Sequence, residues 1–184
     1  MAILLTAAST LAAQRPIPSG SVKEGILSFD GNATAGNFVG TTKAVTGELT
    51  GGQTLDVVRG WVEAPSGSLK TGNDHRDRDM TQKSLEADKY PTMRFDLTGV
   101  HEQPGGFDSI GVVLTGTLSI HGESRPVEVP GTVVLREGIS RLRADFPIDV
   151  RDYKVGSLSR FLGMFKMDPH IVVHVDVTFA PPPN

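Results

Sequence analysis

The chain has 184 residues, no cysteine and a formal net charge of −3, from 18 basic and 21 acidic side chains. This length favours one domain around a single core. The charge gives no basic face of the kind that nucleic-acid binding needs, and the lack of cysteine excludes disulfides and thiolate chemistry. The 21 glycines and 12 prolines indicate many turns and bends.

The first 14 residues form an apolar run that is too short to cross a bilayer. The run resembles the apolar part of a secretory signal, although it lacks a basic start. We therefore expect a periplasmic or secreted protein, with a cytoplasmic location as the alternative. Residues 15–24 are predicted to be a linker, residues 25–180 the folded domain, and residues 181–184 a proline-rich tail.

Three runs with strand character follow the linker, at residues 25–30, 38–49 and 54–64. Gly40 and Gly47 interrupt the second run and predict bends or a close backbone approach there. The third run contains Trp61.

Residues 71–95 lack the strand pattern. They open with a turn signal, are rich in charge, and end at Tyr90-Pro91 before the next strand. We interpret them as one short helical crossover that places Met80, Leu85 and Tyr90 against the sheet. The acidic residues between 74 and 79 lack the glycine and the closing glutamate of a calcium loop, so ordinary ion pairing is expected.

From residue 92 onward apolar and polar side chains alternate, which predicts strands with one buried face. A disturbance is expected at Pro130-Gly131. Seven to eight such strands with short turns indicate an antiparallel sandwich or barrel, and a barrel hides its edges best. The outer face is too polar for a transmembrane barrel, so the apolar face must point inward.

One segment interrupts the last strands. Leu158, Phe161, Leu162 and Phe165 have helical spacing, which predicts a short amphipathic turn that caps one end of the barrel.

Catalytic signals are missing from the sequence. It has no Gly-x-Ser-x-Gly elbow and no glycine-rich phosphate loop, and its five histidines lack metal-ligand spacing. We therefore predict no catalytic residue, no metal and no cofactor. Function is expected in the barrel interior, where Gly116 and Ala144 leave room.

Three segments carry a family resemblance. Residues 68–80 contain Thr-Gly-Asn…Arg-Asp, residues 89–95 contain Tyr-Pro-x-x-x-Phe, and residues 116–127 contain Gly-x-Leu-x-Ile-His-Gly-x-x-x-x-Val. In this order they resemble the YceI-like family, over roughly residues 25 to 179.

The resemblance implies an all-β fold: an eight-stranded antiparallel lipocalin-like barrel with one short crossover helix. It implies a non-enzymatic carrier whose tunnel holds a polyisoprenoid, an isoprenoid quinone or a fatty acid or amide, and a possible homodimer. Arg76, Arg151 and Lys154 are candidates for a head group. The predicted ligand-binding residues are Met80, Leu85, Tyr90, Met93, Phe95, Leu118, Ile120, Phe146, Ile148, Tyr153, Phe161, Met164 and Phe165.

Two alternatives stay open. A barrel enzyme acting on a lipid or quinone would need a titratable group in the tunnel, for which Tyr153 and Glu63 are the candidates. A filled barrel would instead suit a protein interaction module, for example in stress response, and would have no cavity above roughly 300 Å³.

Overall fold

The computed structural model describes residues 16–34, 36–136, 138–156, 159–160 and 165–182, the side chains of 159–160 and 165–166 excepted. Eleven strands occur in this part of the chain, and each pairs antiparallel with its neighbours. They are β1 Gly20–Gly31, β2 Phe38–Thr42, β3 Thr46–Thr50, β4 Arg59–Pro65, β5 Thr92–Gln103, β6 Ile110–Ile120, β7 Glu123–Arg136, β8 Ile139–Asp149, β9 Ser159–Arg160, β10 Phe165–Lys166 and β11 His170–Ala180.

Eight strand positions close into a barrel, as the sequence predicted. Beyond β4 the ladder runs β5, β6, β7, β8, β11, and β11 also pairs with β1. Strands β2 and β3 share one position, because β1 pairs with β3 near Gly20 and with β2 from Leu27 to Gly31. The fold is therefore the expected eight-stranded lipocalin-like barrel.

Period-2 alternation sets the interior. Along β6, every second residue from Val112 to Ile120 is buried, while the residues between them are partly exposed. The same pattern on β8 and β11 places the main hydrophobic core inside the barrel.

The crossover contains the predicted helix. Strand β4 leads through a 3₁₀ turn, Ser66–Ser68, to α1, Asp74–Asp79, and α1 continues into one π-helical turn, Met80–Ser84. The side chain of Asn73 accepts a hydrogen bond from the N–H of Arg76 and so caps α1.

The predicted linker, residues 15–24, is wrong in its second half, because β1 already begins at Gly20. Ser21 pairs with Ala180 of β11, and a register shift between Val22 and Glu24 marks a bulge. A bulge breaks the two-residue period, which explains why the sequence pattern missed this half of the strand.

Two further boundaries differ from expectation. Residues 54–64 do not form one strand, because Leu55–Val57 make a 3₁₀ turn at the end of the barrel and β4 starts at Arg59. At Pro130 the β6–β7 register is continuous, so no disturbance occurs on that side. Pairing of β7 with β8, however, begins only at Gly131, which suits a proline without an N–H to donate.

Past this point β7 and β8 diverge. The ladder joins Gly131–Arg136 to Ile139–Ala144, and the rest of both strands is unpaired across the gap. A 3₁₀ helix, Val150–Tyr153, lies against β7 at this gap, and the side chains of Val150, Tyr153 and the following Val155 are buried. We call residues 150–155 the plug.

The expected helical capping turn at residues 157–167 is wrong where the structure describes it. Ser159–Arg160 and Phe165–Lys166 pair as a short antiparallel ladder, and Met167 bridges to Ala33. These residues therefore form strands, although the spacing of the apolar residues had predicted a helix. The residues between these two strands lie outside the described part of the chain.

Candidate ligand-binding cavity

An apolar cavity of about 630 Å³ occupies the barrel interior. Its exposed lining residues, Gly36, Asn37, Asn73 and His75, lie just before β2 and at the start of α1, and we call this edge of the cavity the mouth. Its volume lies within the range of about 300 to 1,000 Å³ that is typical of small-molecule sites. Strands β1, β5, β6, β8 and β11, the crossover and the plug all contribute to the wall.

Most of the predicted barrel residues line this cavity. The crossover contributes Met80 and Leu85, and the strands contribute the remainder. The predicted residues in the wall are Met80, Leu85, Met93, Phe95, Leu118, Ile120, Phe146 and Ile148.

Tyr90 and Tyr153 do not line it. The Tyr90 ring packs on the His121 ring, with the centroids 4.3 Å apart, and covers Gly122 at the β6–β7 turn. Positive φ angles of 52° and 77° at His121 and Gly122 make that turn tight enough for this contact. Tyr153 is 3% exposed but belongs to the plug, away from the cavity surface.

Two of the three predicted head-group cations also lie elsewhere. Arg151 pairs with Asp149, and Lys154 pairs with Glu123 across the plug, with 2.6 Å between Nζ and Oε1. Hydrogen bonds from Arg151 lower the pKa of Asp149 to about 2. These cations therefore hold the plug to its neighbours and do not face the cavity. Phe161 and Met164 lie outside the described residues, as does the side chain of Phe165.

Arg76 is the predicted cation that does reach the mouth. Its guanidinium lies 4.1 Å from the centroid of the Phe38 ring. Nε donates to the hydroxyl of Thr71 at 2.8 Å, and Nη2 donates to the Thr71 carbonyl at 2.9 Å. Stacking and hydrogen bonds together fix a positive charge at the edge of an apolar cavity.

Asp77 secures the loop that carries Thr71. Its Oδ1 accepts the backbone N–H of Thr71 at 2.8 Å and the hydroxyl at 2.6 Å. Burial opposes ionisation, but these two hydrogen bonds, together with the charges of Lys70 and Arg76, outweigh it and lower the pKa of Asp77. Its carboxylate is thus engaged in holding the mouth by hydrogen bonds, whereas Asp79 of the same acidic stretch makes an ion pair, with 3.0 Å between its Oδ1 and Nζ of Lys83.

Sequence reasoning missed several wall residues. Phe29 and Phe38 line the cavity with their rings in an edge-to-face contact, 6.0 Å between centroids. Each lies over a glycine on the paired strand, Gly40 and Gly31 respectively. An aromatic residue opposite a strand glycine is the signal that was available. Val150 and Val155 of the plug gave no periodic signal.

The two candidate catalytic residues are Glu63 and Tyr153, and the surroundings of both fit a structural role. Glu63 lies at the cavity wall, but its Oε2 accepts a hydrogen bond from Nη1 of Arg94 at 3.0 Å. Burial raises the pKa of Tyr153 and keeps its phenol protonated. Within the described ranges no cluster of three His, Asp or Glu side chains is placed to hold a metal ion.

Helices in the described part of the chain are all too short or too polar to cross a membrane.

Solved structures with this architecture include the BcnA protein of Burkholderia cenocepacia, with 17% identity, a TM-score of 0.69, and 84% of this chain and 95% of that chain covered. A polyisoprenoid binding domain from Saccharophagus degradans, implicated in plant cell wall breakdown, has 16% identity and a TM-score of 0.73, with 90% and 99% covered. The YCEI protein of Campylobacter jejuni has 19% identity and a TM-score of 0.58, with 76% and 82% covered.

No curated protein matches the chain in sequence. The model of the YceI-like domain, however, matches residues 20–179. This range agrees with the barrel from the start of β1 to the end of β11. Ordered motifs, barrel and family match together lead to one conclusion: the chain belongs to the YceI-like domain family.

Proposed function

We propose that the protein binds one long-chain amphiphile with its tail in the barrel cavity and its polar head at the mouth. The observation that carries this proposal is an apolar cavity of about 630 Å³ with a fixed cation, Arg76, at its opening. Candidate ligands are a polyisoprenoid, an isoprenoid quinone and a fatty acid or amide. The polyisoprenoid binding domain with the same fold supports this choice.

Apolar burial provides the driving force. About fifteen methylene groups removed from water contribute about 12 kcal/mol. Loss of translational and rotational freedom costs at least about 4 kcal/mol. The difference of about 8 kcal/mol corresponds to a dissociation constant of about a micromolar.

The mouth suits an anionic or carbonyl-bearing head. Arg76 supplies a charge whose position is set by Phe38 and Thr71, and Asn37 and Asn73 supply amide groups at the same edge. A guanidinium binds a carboxylate or phosphate in a planar, bidentate manner. We therefore propose a role for Arg76 in head-group binding, and none for Arg151 or Lys154.

The proposed role is binding, transport or sequestration without catalysis. The filled-barrel alternative loses its support because the cavity is about twice the volume of roughly 300 Å³ that would have excluded a ligand. Neither of its two candidate side chains favours the enzyme alternative, since Glu63 is ion-paired and Tyr153 lies away from the cavity.

Delipidated protein tests the proposal directly. We expect native mass spectrometry to show one bound molecule of hexadecanamide, decylubiquinone or solanesol per chain, with about micromolar affinity for at least one. Val129→Phe should block uptake, because Val129 is buried in the cavity wall. Glu128→Phe is the matched control, since it places the same ring on the exposed face next door. Absence of uptake of every probe, or equal uptake by both variants, would contradict the proposal.

Location and oligomeric state stay predictions. Residues 1–14, which suggested a periplasmic or secreted protein, lie outside the described part of the chain. Cell fractionation of the full chain decides between export and a cytoplasmic location. Sedimentation of purified protein decides whether the expected homodimer forms.

A further inference from the structure

A second, smaller chamber lies at the other end of the barrel from the mouth. Its volume is about 60 Å³, and its wall includes Ile17, Leu55 and Val58, which close that end. We call it the distal chamber. Val62, Phe95, Leu114 and Leu142 line both the chamber and the large cavity, so these four residues form the partition between them.

The partition consists of side chains that can change rotamer. The Phe95 ring lies across the backbone of Gly116, so close that an added Cβ at Gly116 would contact Cζ at 2.5 Å. Phe95 and Leu142 are both only partly buried, because each faces cavity space. A rotamer change at Phe95 and Leu142, which border open space on both sides, would connect the cavity to the chamber and let the tail of a ligand reach it.

Ser140 gives the distal chamber an unusual polar group. It occupies an inward position on β8, is 4% exposed, and lines the chamber. Its Oγ is buried and has no hydrogen-bond partner among the described residues. Burying a hydroxyl without a partner is unfavourable, so the group calls for a partner that the described residues do not supply.

A lone water is a poor candidate for that partner. A buried water needs two to four polar contacts. Ser140 pairs with Leu135 of β7 and, as the last pair of that ladder, with Phe179 of β11, so its backbone neighbours on both sides belong to paired strands. A polar atom carried into the chamber on an apolar tail needs only the one contact.

We propose that the distal chamber is a terminal subsite that receives the far end of the ligand's tail, where Ser140 hydrogen-bonds a hydroxyl or carbonyl oxygen. The ligand class is then a long-chain amphiphile with a second, small polar group at the end away from its head. This inference rests on the proposed tail-inward binding. It adds selection for tail length and for the chemistry of the tail's end.

Matched fatty acids test the subsite. Calorimetry would compare saturated acids from dodecanoic to eicosanoic acid with their ω-hydroxy counterparts, in wild type, in Ser140→Ala, and in Ser21→Ala, an exposed serine, as control. We expect the terminal hydroxyl to weaken binding at short lengths and to strengthen it at one length. At that length Ser140→Ala should bind the hydroxylated acid roughly fivefold more weakly, as loss of one neutral hydrogen bond implies. Its affinity for the unsubstituted acid should be unchanged.

The outcomes separate this inference from the proposed function. If the acids bind but their affinity ratios are the same in wild type and Ser140→Ala at every length, the terminal subsite is overturned and the cavity proposal stands. If wild type binds none of the acids and none of the amide, quinone and prenol probes, both are overturned. A Ser140→Ala protein that unfolds at the same urea concentration as wild type rules out a folding defect as the cause of any change.

Discussion

The two ends of the barrel are built differently. At the closed end β7, β8, β11 and β1 stay paired, with one bulge between Val22 and Glu24 of β1, and a chamber of about 60 Å³ remains. At the mouth end β7 separates from β8, and the backbone of β2 meets the crossover at the isolated Thr41–Lys70 bridge and not in a continuous ladder. The plug covers the gap between β7 and β8, and the crossover lies beside β2. The difference teaches that paired strands make the rigid wall, and that irregular segments decide where space and access lie.

The largest effect on stability is expected when the Tyr153 side chain of the plug is truncated. Tyr153→Ala removes a ring that is 3% exposed, so the free energy of unfolding in urea should fall by about 3 to 5 kcal/mol. Phe179→Ala, 5% exposed at the closed end, should cost a similar amount. Only the plug variant should release a bound dodecanoic acid faster. Equal release rates in both variants would show that the plug does not control access.

A charge in the cavity wall should have the next largest effect. Leu85→Asp places a carboxylate at a position that is 8% exposed and lines the cavity, so binding of hexadecanamide should weaken about tenfold or more. Asp79 also borders the cavity, but its carboxylate is paired with Lys83 at 3.0 Å, so Asp79→Ala should change affinity much less. Fluorescence competition on folded protein gives both values. The reverse order would reopen a cation-binding role for the acidic stretch.

Acid titration isolates the attachment of the plug. Because side-chain hydrogen bonds from Arg151 lower the pKa of Asp149 from 3.8 to about 2, ionised Asp149 stabilises the fold above pH 3.8. That contribution is lost as the pH falls toward 2. Wild type should therefore exceed Asp149→Asn in stability at pH 5, and the two should converge near pH 2. Urea unfolding of both proteins from pH 5 to pH 2 measures this difference in stability. A difference that stays constant with pH would contradict the role of ionised Asp149.

The smallest effect is expected on the outer wall between the two ends. The Nδ1 and Nε2 atoms of His174 lie 2.5 Å from Asp145 Oδ1 and 3.2 Å from Asp30 Oδ2, and these partners raise its pKa above 6.5. A raised pKa means that the stabilisation is complete below pH 6.5 and is lost as the pH rises through the folded value. The melting-temperature difference between wild type and His174→Gln should shrink on going from pH 6 to pH 9. Uptake of hexadecanamide should be the same in both proteins, because His174 faces away from the cavity.

Regular parts of this molecule were predictable from sequence, and irregular parts were not. Alternation along β6 and β8 identified Leu118, Phe146 and Ile148 as inward residues, since the two-residue period of a strand fixes the face. The bulge after Val22 removed that period and hid the start of β1. The plug has no period at all, so Val150 and Val155 gave no signal.

The cavity itself depended on packing that no spacing rule contains. Gly116 suggested room inside the barrel, but the structure shows the Phe95 ring lying over it, as part of the partition. Tyr90 was assigned to the tunnel because it shares a crossover with Leu85. The crossover instead ends with backbone hydrogen bonds of Lys89 and Tyr90 to Glu86, and Tyr90 lies against His121.

One measurement tests the central claim that a tail enters the barrel with its head at Arg76. A crystal structure with ω-bromopalmitic acid locates the end of the tail by the anomalous signal of bromine. We predict one bromine peak inside the barrel, beside Phe95 and Leu142 or beyond them in the distal chamber, with the carboxylate within hydrogen-bonding distance of Arg76. A peak at the mouth, on the outer surface, or no peak at all in crystals soaked to saturation would contradict the account.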